Sequence, residues 1–149
     1  MAIHNGGNYI KVQLESLLCQ LSPEDEVVIS DDGSTDNTID TILNFQDSRI
    51  KVYHFSQSDK TTHHHLYVTR NFEHALKRAS GGYIFLYDQD DYWQNGKLAK
   101  CSNLLKNNMI VLHDAMIVDD SLHEAGGEYI IINTKELITF KSIQHIMDA

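Results

Sequence analysis

Two acidic clusters, each directly behind an apolar run, constrain this chain more than any other feature. Val27, Val28, Ile29 and Ser30 lead into Asp31-Asp32-Gly33-Ser34-Thr35-Asp36. Tyr83, Ile84, Phe85, Leu86 and Tyr87 lead into Asp88-Gln89-Asp90-Asp91, with Tyr92 and Trp93 following. A short apolar run bounded by turn formers reads as a buried strand. Ligands of open α/β sheets bind in the crevice beyond the carboxyl ends of the strands. Carboxylates from two strand ends can therefore meet in one place. One cluster suits the polar edges of a nucleotide, and the other suits a divalent metal bound to its phosphates.

The rest of the chain alternates in a compatible way. Ile10, Leu14, Leu17, Leu18 and Leu21 recur at helical spacing behind a Gly6-Gly7-Asn8 turn. Residues 26–30 read as a buried strand. Ile39, Ile42 and Leu43 mark the next helix, with Asp36 or Ser34 as its cap. Residues 49–55 alternate as a third-layer strand, and a polar loop runs from 56 to about 65. Val68, Phe72, Ala75, Leu76 and Ala79 form another helix, stopped by Gly81-Gly82. Residues 83–87 are expected to be a central strand, residues 97–106 a helix and residues 109–113 a strand that 115–118 extends or follows. A β-like stretch at 129–132 and a helix at 142–147 complete the reading. The sum is an α/β domain over residues 1–149, a mostly parallel sheet flanked by helices. Only Met1, Ala2, Ile3 and His4 precede the first turn, so the expectation is a chain short of its first strand.

The 149 residues carry a net charge of -9, which argues against nucleic-acid binding because phosphates are repelled. Cys19 and Cys101 fall in the expected helices and read as buried free thiols in a reducing cytoplasm. No run reaches the roughly 18–20 apolar residues of a membrane span, and no signal peptide is visible. The expectation is a cytoplasmic protein without a transmembrane segment, compatible with peripheral attachment to the inner face of the cell membrane.

Each motif has a plainer alternative. Carboxylates at i, i+2 and i+3, as in Asp88, Asp90 and Asp91, can converge on a hard cation such as Mg²⁺ or Mn²⁺, and they repel one another without it. The alternative is a solvated turn capping the next helix. Asp31 and Asp32 can accept hydrogen bonds from a nucleobase or a ribose. The alternative is a strand-to-helix turn in which Gly33 supplies an unusual φ. This stretch lacks the alternating ligands and final Glu of an EF-hand, and no Gly-Lys-Ser/Thr follows it as in a P-loop. His63, His64 and His65 are adjacent, so their side chains diverge and read as a polar loop rather than a zinc shell. His4, His113 and His123 read as structural or incidental. Lys60 can approach a diphosphate if its loop folds over the site.

Taken together, the clusters and their spacing resemble the family-2 glycosyltransferases, whose nucleotide-sugar-binding α/β fold is the Rossmann-like GT-A type. The resemblance covers residues 1 to about 120. It is carried by residues 2–10, by Ser30 to Asp36, by Thr69-Arg70-Asn71-Phe72, by Asp88 to Trp93 with Lys97-Leu98, and by His113-Asp114-Ala115. Within the family the chain looks most like bacterial enzymes of surface-polysaccharide synthesis, including rhamnosyltransferase-like members. The resemblance implies that Ala2, Asn5, Asp31, Asp32, Arg70, Asn71 and Asp90 bind the nucleotide, with Asp32 facing the base. It implies a divalent cofactor, Mn²⁺ or Mg²⁺, at Asp88, Asp90 and Asp91, and leaves the ligand open between Asp90 and Asp91. It further implies a nucleoside-diphosphate sugar donor, a saccharide or lipid-linked saccharide acceptor, and inverting transfer.

Two departures stand out. The first strand of the family is nearly absent here. The late acidic motif that supplies the catalytic base has no match, and Asp148 is a poor candidate, so the base is expected beyond Ala149. A non-catalytic nucleotide-sugar-binding fragment is therefore the alternative function. A phosphotransferase of the haloacid-dehalogenase type fits badly, because Tyr92 and Trp93 stand where it needs a different setting.

Overall fold

The computed structural model describes residues 1–57, 64–113, 115, 117–119, 121–123 and 138–140. They fall into two compact units, Met1–Leu98 and Ala99–Ala149.

The first unit is built on a strand buried along its whole length. β2 (Val27–Asp31) pairs on one edge with β1 (Ala2–Ile3) and on the other with β3 (Ile50–His54), all parallel. Ala2 lies opposite Ser30, and Val27 opposite Ile50. A β-branched run with no polar face has to be covered on both sides, as in parallel sheets generally. α1 (Ile10–Leu18) supplies Ile10, Leu14 and Leu17, and α2 (Thr38–Leu43) supplies Ile42. These side chains join Met1, Ile3, Val27, Ile29, Tyr87 and Trp93 in one core cluster. Burying each large aliphatic side chain stabilises by roughly 1.5–3 kcal/mol. α3 (His64–Leu76) packs against β1 and β2. Ser30, fully buried in β2, shares a 2.7 Å hydrogen bond with His74 Nδ1, and Phe55 stacks on that imidazole at 4.4 Å. Burial, helped by the charges of Arg78 and Lys77, lowers the pKa of His74 and favours its neutral form.

The second unit contains most of α4 (Lys97–Leu105) and an antiparallel pair, β4 (Ile110–Leu112) with β5 (Ile138–Phe140). Among the described residues no helix is long and apolar enough to cross a membrane.

Four expectations need correction. β1 does form and pairs with β2, although it is only two residues long. Residues 83–87 are not a strand. The parallel bridge to β1 comes one residue later, between Ala2 and Asp88. A two-residue β1 offers no ladder to pair with, and α1 satisfies the backbone farther along instead, as described below. Cys19 sits at the C-terminal cap of α1 and is exposed, whereas Cys101 is buried as expected. The helix caps also differ. α1 starts at Tyr9 on backbone bonds to Gly6 O rather than a side-chain cap, and Asp36 accepts from Thr38 at the start of α2 without being the cap residue. The stretches 129–132 and 142–147, and Lys60, His63, Asp114, Asp120 and Asp148, lie outside the described residues.

Glu26, just before β2, closes the opposite end of the sheet. Its carboxylate accepts from Lys51 Nζ at 2.6 Å and from Ser80 N and Oγ at 2.6 and 2.9 Å. The bond from Lys51, followed by those from Ser80, lowers the Glu26 pKa to about 2. A depressed carboxylate pKa stabilises the fold above the unfolded-state value and loses that contribution as pH falls toward the folded one. Glu26→Gln should cost about 1 kcal/mol at neutral pH, discounted for solvent screening. Urea titrations should show the wild-type advantage fading as pH falls from 4.5 toward about 2. An advantage undiminished there would mean that the charge is not its source.

Candidate functional site

The first acidic turn leaves the carboxyl end of β2. Asp31 is 4% exposed and points inward. Its carboxylate accepts from Ser34 N at 3.1 Å, closing the turn, and lies 3.5 Å from His54 Nδ1. Gly33 adopts φ 70°, a left-handed conformation that suits glycine. Asp32 is the partner that reaches the rim. Its Oδ2 accepts from Gln57 Nε2 at 2.9 Å, and the same amide nitrogen donates to Tyr67 O at 3.1 Å. Asn5, also left-handed at φ 51°, turns the chain out of β1 so that its Oδ1 accepts from Thr35 N at 2.8 Å. Its own N–H donates to Ser34 Oγ at 2.9 Å, and Gly7 N donates to Asp36 Oδ2 at 3.0 Å. The segment after β1 thus holds the first acidic turn from the side.

The second acidic turn is held by α1. Gln13 Nε2 donates to Asp88 O at 3.1 Å, Trp93 N donates to Ser16 Oγ at 3.1 Å, and Gln20 Nε2 donates to Trp93 O at 3.3 Å. These side chains satisfy backbone groups at both ends of the turn, Asp88 and Trp93. Trp93 is buried between the edges of Phe85 and Tyr87, and the Lys97 ammonium lies 4.5 Å from its ring centre. Asp88 N donates to Asp91 Oδ2 at 3.1 Å, so the turn folds on itself and leaves Asp90 exposed. Partial burial, then the charges of Asp91 and Asp90, raise the Asp88 pKa. Such a cluster gains from a nearby cation.

The two turns meet at His4. Its Nδ1 donates to Asp32 O at 2.9 Å, and its backbone N–H and C=O both bond the side-chain amide of Gln89. Because a carbonyl can only accept, Nδ1 carries the proton. Nε2 then accepts from Asn5 Nδ2 at 3.3 Å, which makes the ring the neutral Nδ1–H tautomer. The structure therefore brings Ala2, Asn5, Asp31, Asp32, Asp88, Asp90 and Asp91 to one end of the sheet. Asn71 lies beneath it, 4% exposed, with Nδ2 donating to Ile3 O at 3.2 Å. Arg70 is exposed on α3. Among the described residues no three acidic, imidazole or thiol groups are gathered around one point. A cation held by one or two carboxylates and the phosphates of a ligand needs no such gathering. The sequence reading took His4 as structural or incidental and gave no role of their own to Gln57 or to Gln89, the uncharged member of the second acidic run. Their positions beside the two clusters were the available signal.

Residues 1–145 match the family described as glycosyl transferase family 2. The chain belongs to that family. It is 32% identical over 139 residues to the Escherichia coli UDP-Glc:alpha-D-GlcNAc-diphosphoundecaprenol beta-1,3-glucosyltransferase WfgD, covering 93% of this chain and 47% of that enzyme. It is 32% identical over 111 residues to the Shigella flexneri dTDP-rhamnosyl transferase RfbG, covering 72% of this chain and 37% of the relative. The chain thus spans about half the length, or less, of these family-2 relatives. The structure of S. aureus TarS residues 1–349 in complex with UDP superposes with a TM-score of 0.64 at 26% identity, covering 80% of this chain and 35% of that one. The GT-A-type fold expected from the sequence is the one observed.

The Asn5 contacts give a graded test of how the first turn is held. Asn5→Ala should destabilise by about 2 kcal/mol, because it loses the Thr35 bond and strains a left-handed backbone. Asn5→Gly should recover roughly half, since only the bond is lost. Equal losses in the two variants, measured by denaturant unfolding, would mean that the backbone conformation contributes nothing.

Proposed function

We propose that this family-2 chain binds the donor in metal-dependent, inverting transfer of a sugar from a nucleoside-diphosphate sugar to an acceptor hydroxyl during bacterial surface-polysaccharide synthesis. The observation that carries this reading is the link between the two acidic turns through His4. It sets a carboxylate suited to a nucleobase beside a carboxylate cluster suited to a metal-bound diphosphate. Asp32 accepts from the base N–H, and Asp31 and Asn5 hold the turn that presents it. Ala2, small and paired on both sides, sets the spacing between β2 and the second turn. Asn71 braces the end of β1, and Arg70 on the exposed face of α3 approaches the donor diphosphate.

Asp90 and Asp91, with Asp88 behind them, fit a Mn²⁺ or Mg²⁺ ion. The donor set is all hard oxygen, and a cation relieves the repulsion from Asp91 and Asp90 that adds to burial in raising the Asp88 pKa. When bound, the ion offsets negative charge on the leaving diphosphate. The protein's own part is to fix the base and the diphosphate at a set separation, so that the anomeric carbon is open to attack from the opposite face. The names of WfgD and RfbG support a uridine or deoxythymidine diphosphate sugar as donor, and that of WfgD supports a lipid-linked saccharide as acceptor. A lipid-linked acceptor is met at the inner face of the cell membrane, which suits peripheral association there.

Calorimetry with UDP and Mn²⁺ tests the assignment. Asp90→Asn combined with Asp91→Asn should abolish the Mn²⁺-dependent part of UDP binding and leave the metal-free part within about twofold. Asp32→Ala should weaken UDP binding about tenfold with or without Mn²⁺, as expected for one charge-assisted hydrogen bond. Unchanged binding in the double variant would remove the metal from this turn. Unchanged binding in Asp32→Ala would remove the base from Asp32.

A further inference from the structure

Gln89 is the one uncharged residue of the second acidic turn, and it makes that turn's closest contacts with the rest of the site. Its Oε1 accepts from His4 N at 2.9 Å, and its Nε2 donates to His4 O at 3.2 Å. One end accepts and the other donates, so the amide orientation is fixed by its partners. This is the pairing a neighbouring strand would offer. It follows directly on the bridge between Ala2 and Asp88, and so the side chain stands in for the missing rung.

A second observation bears on the same amide. A Cβ on Gly6 would lie 2.6 Å from Gln89 Oε1 and 2.7 Å from its Cδ, and the three nearest atoms all belong to Gln89. Gly6 does not have a left-handed φ. A side chain at position 6 would have to displace the Gln89 amide, the far end of a flexible side chain. On its far side, His4 carries the connection through Nδ1 to Asp32 O. A continuous path therefore runs from the 88–91 turn through Gln89 and His4 to Asp32.

We propose that Gln89 is a positioning residue that fixes the separation of the two acidic turns and so couples base binding at Asp32 to metal-diphosphate binding at 88–91. This rests on the donor-site reading above and adds a role for a residue to which that reading assigns no ligand contact. The contacts are exposed, so water can replace them when they are lost. The fold then survives while the spacing loosens.

The experiment is calorimetry of the 149-residue chain with UDP, with and without Mn²⁺, alongside thermal unfolding. The quantity read is the gain in UDP affinity that Mn²⁺ confers. Gln89→Ala should reduce that gain about tenfold and leave metal-free UDP affinity within about twofold. Gln89→Glu should do the same, because a carboxylate accepts from His4 N but cannot donate to His4 O. Gly6→Ala should reproduce the loss by displacing the same amide, and the Gly6→Ala, Gln89→Ala double variant should be no worse than either single change. A full Mn²⁺ gain in Gln89→Ala, or additive losses in the double variant, would overturn the coupling role. A matching fall in metal-free affinity and unfolding temperature would overturn it in favour of a purely structural role. A wild-type chain with no Mn²⁺ gain would instead overturn the donor-site reading, and the coupling with it.

Discussion

The burial of β2 is the constraint on which the rest depends. Val27, Val28, Ile29, Ser30 and Asp31 are all buried, and both strand edges are paired. The strand therefore has one register, and the residues that follow it emerge at one place. Asp31 turns back to close the exit, and Asp32 is delivered to the rim. A one-residue slip would send every side chain to the opposite face of the sheet and would exchange the roles of the two aspartates.

The second acidic turn is fixed by different means. It has one bridge to β1, and its backbone is held by Gln13, Ser16 and Gln20 of α1 and the flanking turn. α1 is thus amphipathic in an unusual sense, because its inward face carries Ile10, Leu14 and Leu17 together with buried Gln13 and Ser16. The apolar members hold the helix to the sheet. The polar members convert an unladdered segment into an ordered one by satisfying groups that would otherwise be buried unpaired. The sheet places one turn, a helix places the other, and His4 with Gln89 joins them.

Much of this was legible in the sequence. The apolar run before Asp31 named β2, and the spacing of Ile10, Leu14 and Leu17 named α1. The expectation that two acidic clusters meet came from the rule that ligands gather at strand carboxyl ends; they do meet, through His4, although residues 83–87 form no strand and α1 side chains hold the second turn. The failures have specific causes. Residues 83–87 have strand composition, but composition cannot show that the neighbouring strand offers one bridge. Cys19 keeps the helical period but falls one residue past the end of α1, where the face it occupies is open. His4 was read as structural or incidental and Gln89 was given no role, because a single polar residue has no pattern and their importance lies in which groups they meet across 85 positions of sequence.

The central claim is that base and metal-diphosphate are held side by side at this end of the sheet. Diffraction from crystals grown with UDP and Mn²⁺ tests it most directly, through the anomalous signal of the manganese. The account predicts a manganese peak against the carboxylates of residues 88–91, with the uracil ring against Asp32. A peak elsewhere, or a uracil ring bound away from the β2 exit, would contradict it.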